Sequence, residues 1–361
     1  MKVDGQHRRS LWPSARGDAL YVIDQRQLPH TLAIARLDRL DQVRSAIAEM
    51  WVRGAPLIGA TAAYGIALQC RQAADDAALR AAQASLDSAR PTAVNLAWST
   101  RRMVDALLPL APAQRAAVAW ELADAIAEED VAINAAIGRH GLALLQALAA
   151  RSPGRPLNVL THCNAGWLAT VDWGTALAPV YLAQASGLPV HVWVDETRPR
   201  NQGASLTAWE LGQQGVAHTV IADNTGGHLM QRGQVDLVIV GADRVTARGD
   251  VCNKIGTYLK ALAARDNGLP FYVAMPFSTL DLGLSDGLAE IPIEHRSARE
   301  LTHVSGRDGA GQHTEVQVVP DGSPALNPAF DVTPARLVSG LITERGVLVA
   351  DEAVLRGAAS G

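Results

Sequence analysis

Apolar positions recur at three- and four-residue spacing over roughly 36–50, 57–73, 76–88, 93–108 and 113–149, with charges returning on one face of each stretch. That period predicts amphipathic helices. A short extended start, "ALYVIDQRQL", precedes them and reads as strand. Past residue 156 the texture changes to short β-branched runs: "LNVL" (157–160), "HVWV" (191–194), "HTVI" (218–221), "DLVIV" (236–240) and "FYVAM" (271–275). These runs lack alternation and are separated by helix-length segments, which predicts strands of a parallel sheet covered on both faces. Between the two textures, "RSPGRP" (151–156) gathers helix breakers and charge. The expected organisation is α/β: a mainly helical N-terminal domain with short N-terminal strands over 1–150, and a doubly wound, mainly parallel, Rossmann-like domain over 151–361.

A length of 361 residues suits two domains of ordinary size. With 48% hydrophobic residues, 19% charged and a net charge of -4 spread without blocks, the chain offers no basic footprint, which argues against nucleic acid as a partner. The start "MKVDGQHRRSLWPSARGD" has no apolar stretch behind it, and charges interrupt the later apolar runs, so neither an export signal nor a membrane span is expected. The three cysteines, Cys70, Cys163 and Cys252, are odd in number and lack metal-ligand spacing. No disulfide framework or metal centre is expected, and a reducing cytoplasm fits best. No G-x-G-x-x-G or G-x-x-x-x-G-K follows any strand, so no dinucleotide or nucleoside triphosphate is suggested.

In a doubly wound sheet, ligands bind outside the carboxyl ends of the strands, near the switch point in strand order. Past those ends stand Cys163, then Asp195 with Glu196, Asp223 with Asn224, and Asp243 with Arg244. Each acid alone reads most simply as a helix cap, and a free cysteine most simply as packing. A thiol at a strand end before a helix N-terminus can instead be activated as a base or nucleophile. Cys70, ending an apolar helix, reads as structural. In "DVCNKIGTYLKAL", Asn253 and Lys254 at a predicted helix start can face an anion. In "RGAPLIGATAAYG", Arg53 supplies a planar donor fork, Gly54 permits close backbone approach, and Pro56 suits a first helical turn. Arg90, Arg198, Arg200 and Gln202 add donors, and one phosphate held between the domains would use several of them.

"RGAPLIGATAAYG", "RPTAVNLAW", "THCNAGWLAT", "DETRPRNQGASLTAWEL", "DN" followed by "GHLM", "VGADRVTARGDVCNKIGTY", "IPIEHR" and "NPAFDVTPARLVSGLITERG" occur in this order. Together they strongly resemble the methylthioribose-1-phosphate isomerase family of methionine salvage, relatives of the regulatory subunits of translation initiation factor 2B and of archaeal ribose-1,5-bisphosphate isomerase. The resemblance runs from about residue 22 to residue 348. It implies conversion of an aldose 1-phosphate to a ketose 1-phosphate, with Cys163 and Asp243 as catalytic residues. Arg53, Gly54, Ala55, Arg90, Gln202, Asn253 and Lys254 fall on the substrate ligands. It implies no metal or organic cofactor, a small-molecule sugar phosphate as partner, and a homodimer.

The implied substrate carries phosphate on its anomeric oxygen, so the ring cannot open as in an ordinary hemiacetal. A protonated Asp243 would deliver a proton to the ring oxygen, and Cys163 would move the C2 proton to C1 through an enediol. A direct C2-to-C1 hydride shift is the competing route. Thr225, Gly226 and Phe277 depart from the family pattern near strand ends and would reshape the pocket for the 5-substituent. His295 in "IPIEHR" reads as a surface change. The alternatives are an isomerase of 5-deoxyribose 1-phosphate or a related ribose phosphate, and a non-catalytic sugar-phosphate-binding regulatory subunit.

Overall fold

The computed structural model describes residues 1–90 and 94–360. Pro91, Thr92 and Ala93 of "RPTAVNLAW", and with them the first residue of the helix expected over 93–108, lie outside the described residues.

The chain opens with an antiparallel pair, β1 (Lys2–Val3) and β2 (Gln6–His7), then an antiparallel sheet of β3 (Leu11–Pro13), β4 (Leu20–Asp24) and β5 (Ala33–Leu37). Five helices follow: α1 (Leu40–Ala48), α2 (Ala55–Gln72), α3 (Asp76–Asp87), α4 (Val94–Leu107) and α5 (Pro112–Ala149). Helix α2 packs against the other four, and its Ala, Gly and Leu positions are buried nearly all round, which suits the middle of a bundle. Helix α5 is long and apolar enough to cross a membrane by length and composition, which the charge-interrupted reading of its sequence had missed. Its apolar positions serve two interiors instead. Ala119, Ala123, Ile126 and Ala127 join the core under the N-terminal helices, whereas Ile137 and Leu145 join the core under the large sheet.

The second half begins with β6 (Leu157–Thr161), α6 (Ala178–Ala185), β7 (Val190–Asp195), α7 (Ala208–Gln213), β8 (Ala217–Ile221), α8 (Thr225–Gln231) and β9 (Leu237–Val240). It continues through β10 (Arg244–Thr246), β11 (Val251–Lys254), α9 (Thr257–Asp266), β12 (Phe271–Ala274), β13 (Leu280–Asp281), α10 (Gly287–Glu290) and α11 (Arg299–Thr302). The chain ends with β14 (His303–Arg307), β15 (His313–Gln317), β16 (Phe330–Thr333), β17 (Gly340–Thr343), β18 (Gly346–Leu348) and α12 (Glu352–Ser360).

The large sheet has the order β18-β17-β12-β9-β6-β7-β8 and is parallel except for its edge strand β18. From β6 the chain winds outward to β7 and β8, then returns to the other side of β6 to lay down β9, β12 and β17. The direction of winding therefore reverses between β6 and β9, which pair through Leu160 and Val238. That gap is the switch point at which such sheets bind ligands. The α/β class with a helical first half is as the sequence pattern predicts. A second sheet, β13-β10-β11-β16, and a hairpin of β14 with β15 were not expected from the sequence.

Candidate active site

Cys163 follows β6 and Asp243 follows β9, so the two strands flanking the switch point each contribute one of the predicted catalytic residues. Cys163 holds φ at +66°, a left-handed conformation that costs a side-chain-bearing residue about 1–3 kcal/mol. Its surroundings hold it there: its N–H donates to Thr197 Oγ1 at 2.8 Å, and its carbonyl accepts from Thr207 Oγ1 at 2.7 Å. The thiol lies 3.7 Å from Gln202 Oε1 and is 7% exposed. The helix expected directly after it is a single 3-10 turn, Trp167–Ala169, and α6 starts only at Ala178, so Cys163 does not cap a helix.

Asp243 is tied to β11 by its N–H, which donates to the Cys252 carbonyl at 2.9 Å. Burial pushes its carboxyl above the usual range, while the charges of Lys254, Arg90 and Arg53 pull it down and Glu294 pushes it up again. Three cations and two acids thus act on one another here. Gly54, Ala55, Ile58, Arg90, Asp243 and Phe330 line a small hollow there. Lys254 is buried, its ammonium 4.6 Å from the centre of the Phe330 ring; burial pulls it down and the Cys163 and Asp243 charges raise it. Arg90 Nη2 lies 3.6 Å from Glu294 Oε2, and Arg90 Nε is buried without a hydrogen-bond partner among the described residues.

Gly54 immediately precedes α2 at φ +97°, and a Cβ there would stand 2.5 Å from the Ala169 carbonyl oxygen. Only glycine allows this approach, which brings Ala55 at the start of α2 beside the hollow. Arg53 is held by Asn164, donating from Nη1 to Oδ1 at 2.5 Å and from Nη2 to the carbonyl at 2.8 Å. Arg53 and Gln202 also line a larger cleft that opens beside the hollow, bounded by Met50, Leu206, Glu300 and His303. The predicted residues come from the loop before α2, the stretch after α3, the segments after β6, β7 and β9, and the end of β11, where the Asn253 amide is spent on Thr257 Oγ1 at 3.0 Å. Asn253 and Lys254 end strand β11, whereas the sequence reading put them at a helix start; α9 begins three residues beyond Lys254.

Behind Cys163 lies a buried polar cluster. His162 Nδ1 faces Asp195 Oδ2 at 2.8 Å, and Nε2 faces the Ile255 carbonyl at 2.8 Å, which clamps the ring between β7 and the segment after Lys254. Lys260 Nζ is 3.1 Å from the same Asp195 oxygen and also donates to the Asp223 carbonyl. His162, Asp195 and Asp223 come together at a spacing a metal ion could use. The lysine ammonium already neutralises Asp195 there, and the Asp223 carboxylate accepts from the N–H groups of Thr197 and Arg198 at 2.7 and 2.8 Å. The donor set fits a lysine better than a metal.

Other residues singled out in the sequence stand elsewhere. Arg198 donates to the carbonyls of Pro199 and Leu301, and Arg200 pairs with Glu300 at 2.7 Å, so both are engaged in structure. Thr225 and Gly226 begin α8, where Gly226 abuts Leu160 and Lys260, and Phe277 packs under the Arg345 guanidinium. None of the three lines the hollow or the cleft, so the expected effect on the 5-substituent pocket does not follow. His295 is exposed, as expected. Two acids beside the site had no signal in the sequence: Glu294, facing Arg90, and Glu210, buried beneath Arg53's partner Asn164.

A buried thiol in a left-handed backbone and a carboxyl of raised proton affinity, with arginines and a lysine acting on it, stand at the switch point of an α/β sheet, where such sheets bind small ligands. The chain belongs to the initiation factor 2 subunit family, which it matches over residues 51–350. It is 62% identical to the methylthioribose-1-phosphate isomerase of Methylorubrum extorquens over 357 residues, covering 99% of this chain and 98% of that one. The fold is similar to that of 5-methylthioribose 1-phosphate isomerase from Pyrococcus horikoshii OT3, with TM-score 0.84, 38% identity, and coverage of 98% and 96%. It is also similar to the structure described as translation initiation factor eIF-2B, subunit delta, from A. fulgidus, with TM-score 0.78, 40% identity, and coverage of 95% and 96%.

Proposed function

We propose that this chain is an aldose-ketose isomerase that converts 5-methylthioribose 1-phosphate into 5-methylthioribulose 1-phosphate, a step of methionine salvage. The observation that carries the reading is that Cys163 and Asp243 follow the two strands beside the switch point, and that Lys254 feels the charges of both while Arg53 and Arg90 act on Asp243. The cations match a phosphate dianion, and Arg53 and Arg90 bring planar forks suited to its oxygens. Asp243, whose proton affinity burial raises, protonates the ring oxygen as the C1–O4 bond breaks. Cys163 takes the C2 proton and returns it at C1 while the C2 hydroxyl gives its proton to the Asp243 carboxylate, which restores the acid and leaves a C2 ketone with the phosphate on a primary oxygen.

Turnover of the sugar phosphate by the purified protein, and its loss in Cys163→Ser and Asp243→Asn, tests this reading. A deuterium at C2 separates the routes: the enediol path loses the label to water, and a hydride shift carries it to C1. The name of the A. fulgidus structure favours a second reading, a regulatory subunit that binds the sugar phosphate without converting it. Such a protein would bind and not turn over. The reading includes a homodimer in the cytoplasm; light scattering on the eluting protein checks the first, and fractionation of source cells the second.

A further inference from the structure

Glu210 on α7 is fully buried and accepts four hydrogen bonds. Its Oε1 takes Leu168 N–H at 2.8 Å and Asn164 Nδ2 at 3.0 Å; its Oε2 takes Trp167 N–H at 2.9 Å and the Tyr181 hydroxyl at 2.6 Å. Gly166 makes room, since a Cβ there would fall 1.7 Å from Oε2. Asn164 therefore has a fixed amide orientation. Its Nδ2 points at two acceptors, Glu210 Oε1 and Thr207 Oγ1 at 3.2 Å, so its Oδ1 faces the other way, onto Arg53 Nη1. Arg53 spends two of its five N–H donors on Asn164, and among the described residues the other three have no hydrogen-bond partner and can face a ligand. The Thr207 hydroxyl that receives Asn164 also donates to the Cys163 carbonyl, which links the thiol's backbone to the same support.

We propose that Glu210 is a positioning residue of the site: acting through Asn164, it fixes the guanidinium of Arg53 in the orientation that receives the ligand's phosphate. The proposal rests on the phosphate-binding part of the reading above. A buried carboxylate with four donors is costly to place, and its geometry dictates which end of Asn164 the arginine meets. An amide in its place sets an NH₂ against a donor, and the neighbouring amide turns its own NH₂ toward Arg53.

The test is a double-variant cycle read by calorimetry of inorganic phosphate binding and by steady-state kinetics with 5-methylthioribose 1-phosphate. Glu210→Gln and Asn164→Ala each weaken phosphate binding about 10- to 100-fold, the range set by one hydrogen bond to a charged group. Each raises KM in proportion and lowers kcat less. The double variant binds no worse than Asn164→Ala alone, because the first residue acts through the second. Additive losses, or an unchanged phosphate affinity in a folded Glu210→Gln protein, overturn the proposal. Where Glu210→Gln does not fold, Glu210→Asp takes its place in the cycle with the same expected coupling, since the shorter carboxylate falls short of Asn164. A wild type that binds phosphate but converts no sugar contradicts the isomerase reading while the cycle still tests the positioning. A wild type that binds no phosphate overturns both.

Discussion

Cys163 sits where three constraints meet: a left-handed backbone, a hydroxyl on each side of its peptide, and a glutamine oxygen within reach of its sulfur. Strain kept at one residue while the surroundings over-determine it marks functional positions more often than structural ones. Cys163→Ser keeps the size and the backbone contacts but replaces the thiol with a far weaker acid. The account expects turnover to fall by at least about a thousandfold with the melting temperature nearly unchanged, the scale on which loss of a catalytic nucleophile or base is felt. Asp243 sets a pH limb. In the proposed mechanism it acts only when protonated, and burial raises its proton affinity, so kcat/KM is expected to fall as pH rises through that raised pKa. Glu294 is the negative charge that adds to the upward push, so Glu294→Gln moves this limb to lower pH in a pH-rate profile; an unmoved limb would separate Glu294 from Asp243.

At the scale of elements, the loop before α2 carries the strictest geometric demand. Gly54→Ala adds a methyl where 2.5 Å separates it from a carbonyl oxygen, in a backbone conformation that alanine disfavours. The expected cost is about 2 kcal/mol or more in a denaturant melt, with weakened phosphate binding as the Arg53–Ala55 segment shifts. These elements were also the legible ones. Helices α2 to α5 and strands β6, β7, β8, β9 and β12 lie within two residues of the positions the hydrophobic pattern indicates, because each is a long periodic helix or holds a run of apolar, aromatic or β-branched residues. Strands β10, β11 and β13 to β18 are short, and each contains glycine or a polar residue, so no apolar run announces them. The same logic divides the site. A residue at a strand end is visible in sequence, whereas the partner that claims it is not. Arg200 looked like a phosphate donor until Glu300, a hundred positions away, took it, and Glu210 lay unremarked inside "LTAWEL".

Across the whole molecule, α5 ties the helical half to the sheet, and Asp130 lies on it near the crossing. Its carboxylate accepts from Val171 N–H at 2.7 Å and from Asn134 Nδ2 at 2.9 Å, and burial pushes its pKa up to about 7. A raised carboxyl pKa means the folded state keeps a proton that the unfolded chain releases near pH 4. Its contribution is present in full below that pH and is lost as pH rises to about 7, a swing on the order of 4 kcal/mol. Asp130→Asn has no such titration, so the stability of wild type relative to the variant declines between pH 4.5 and 7.5; thermal melts at the two pH values read it.

The proposed function needs Cys163 and Asp243, which follow the two strands at the switch point, to act together on one sugar phosphate. Phosphorus NMR of 5-methylthioribose 1-phosphate incubated with the purified protein, with 5-deoxyribose 1-phosphate in parallel, tests it most directly. The substrate's phosphate is an acid-labile anomeric ester and the product's is an acid-stable primary ester. The account predicts that the anomeric signal gives way to the primary one with wild type and persists with Cys163→Ser. An anomeric signal that persists with folded wild-type protein for both sugars would contradict it.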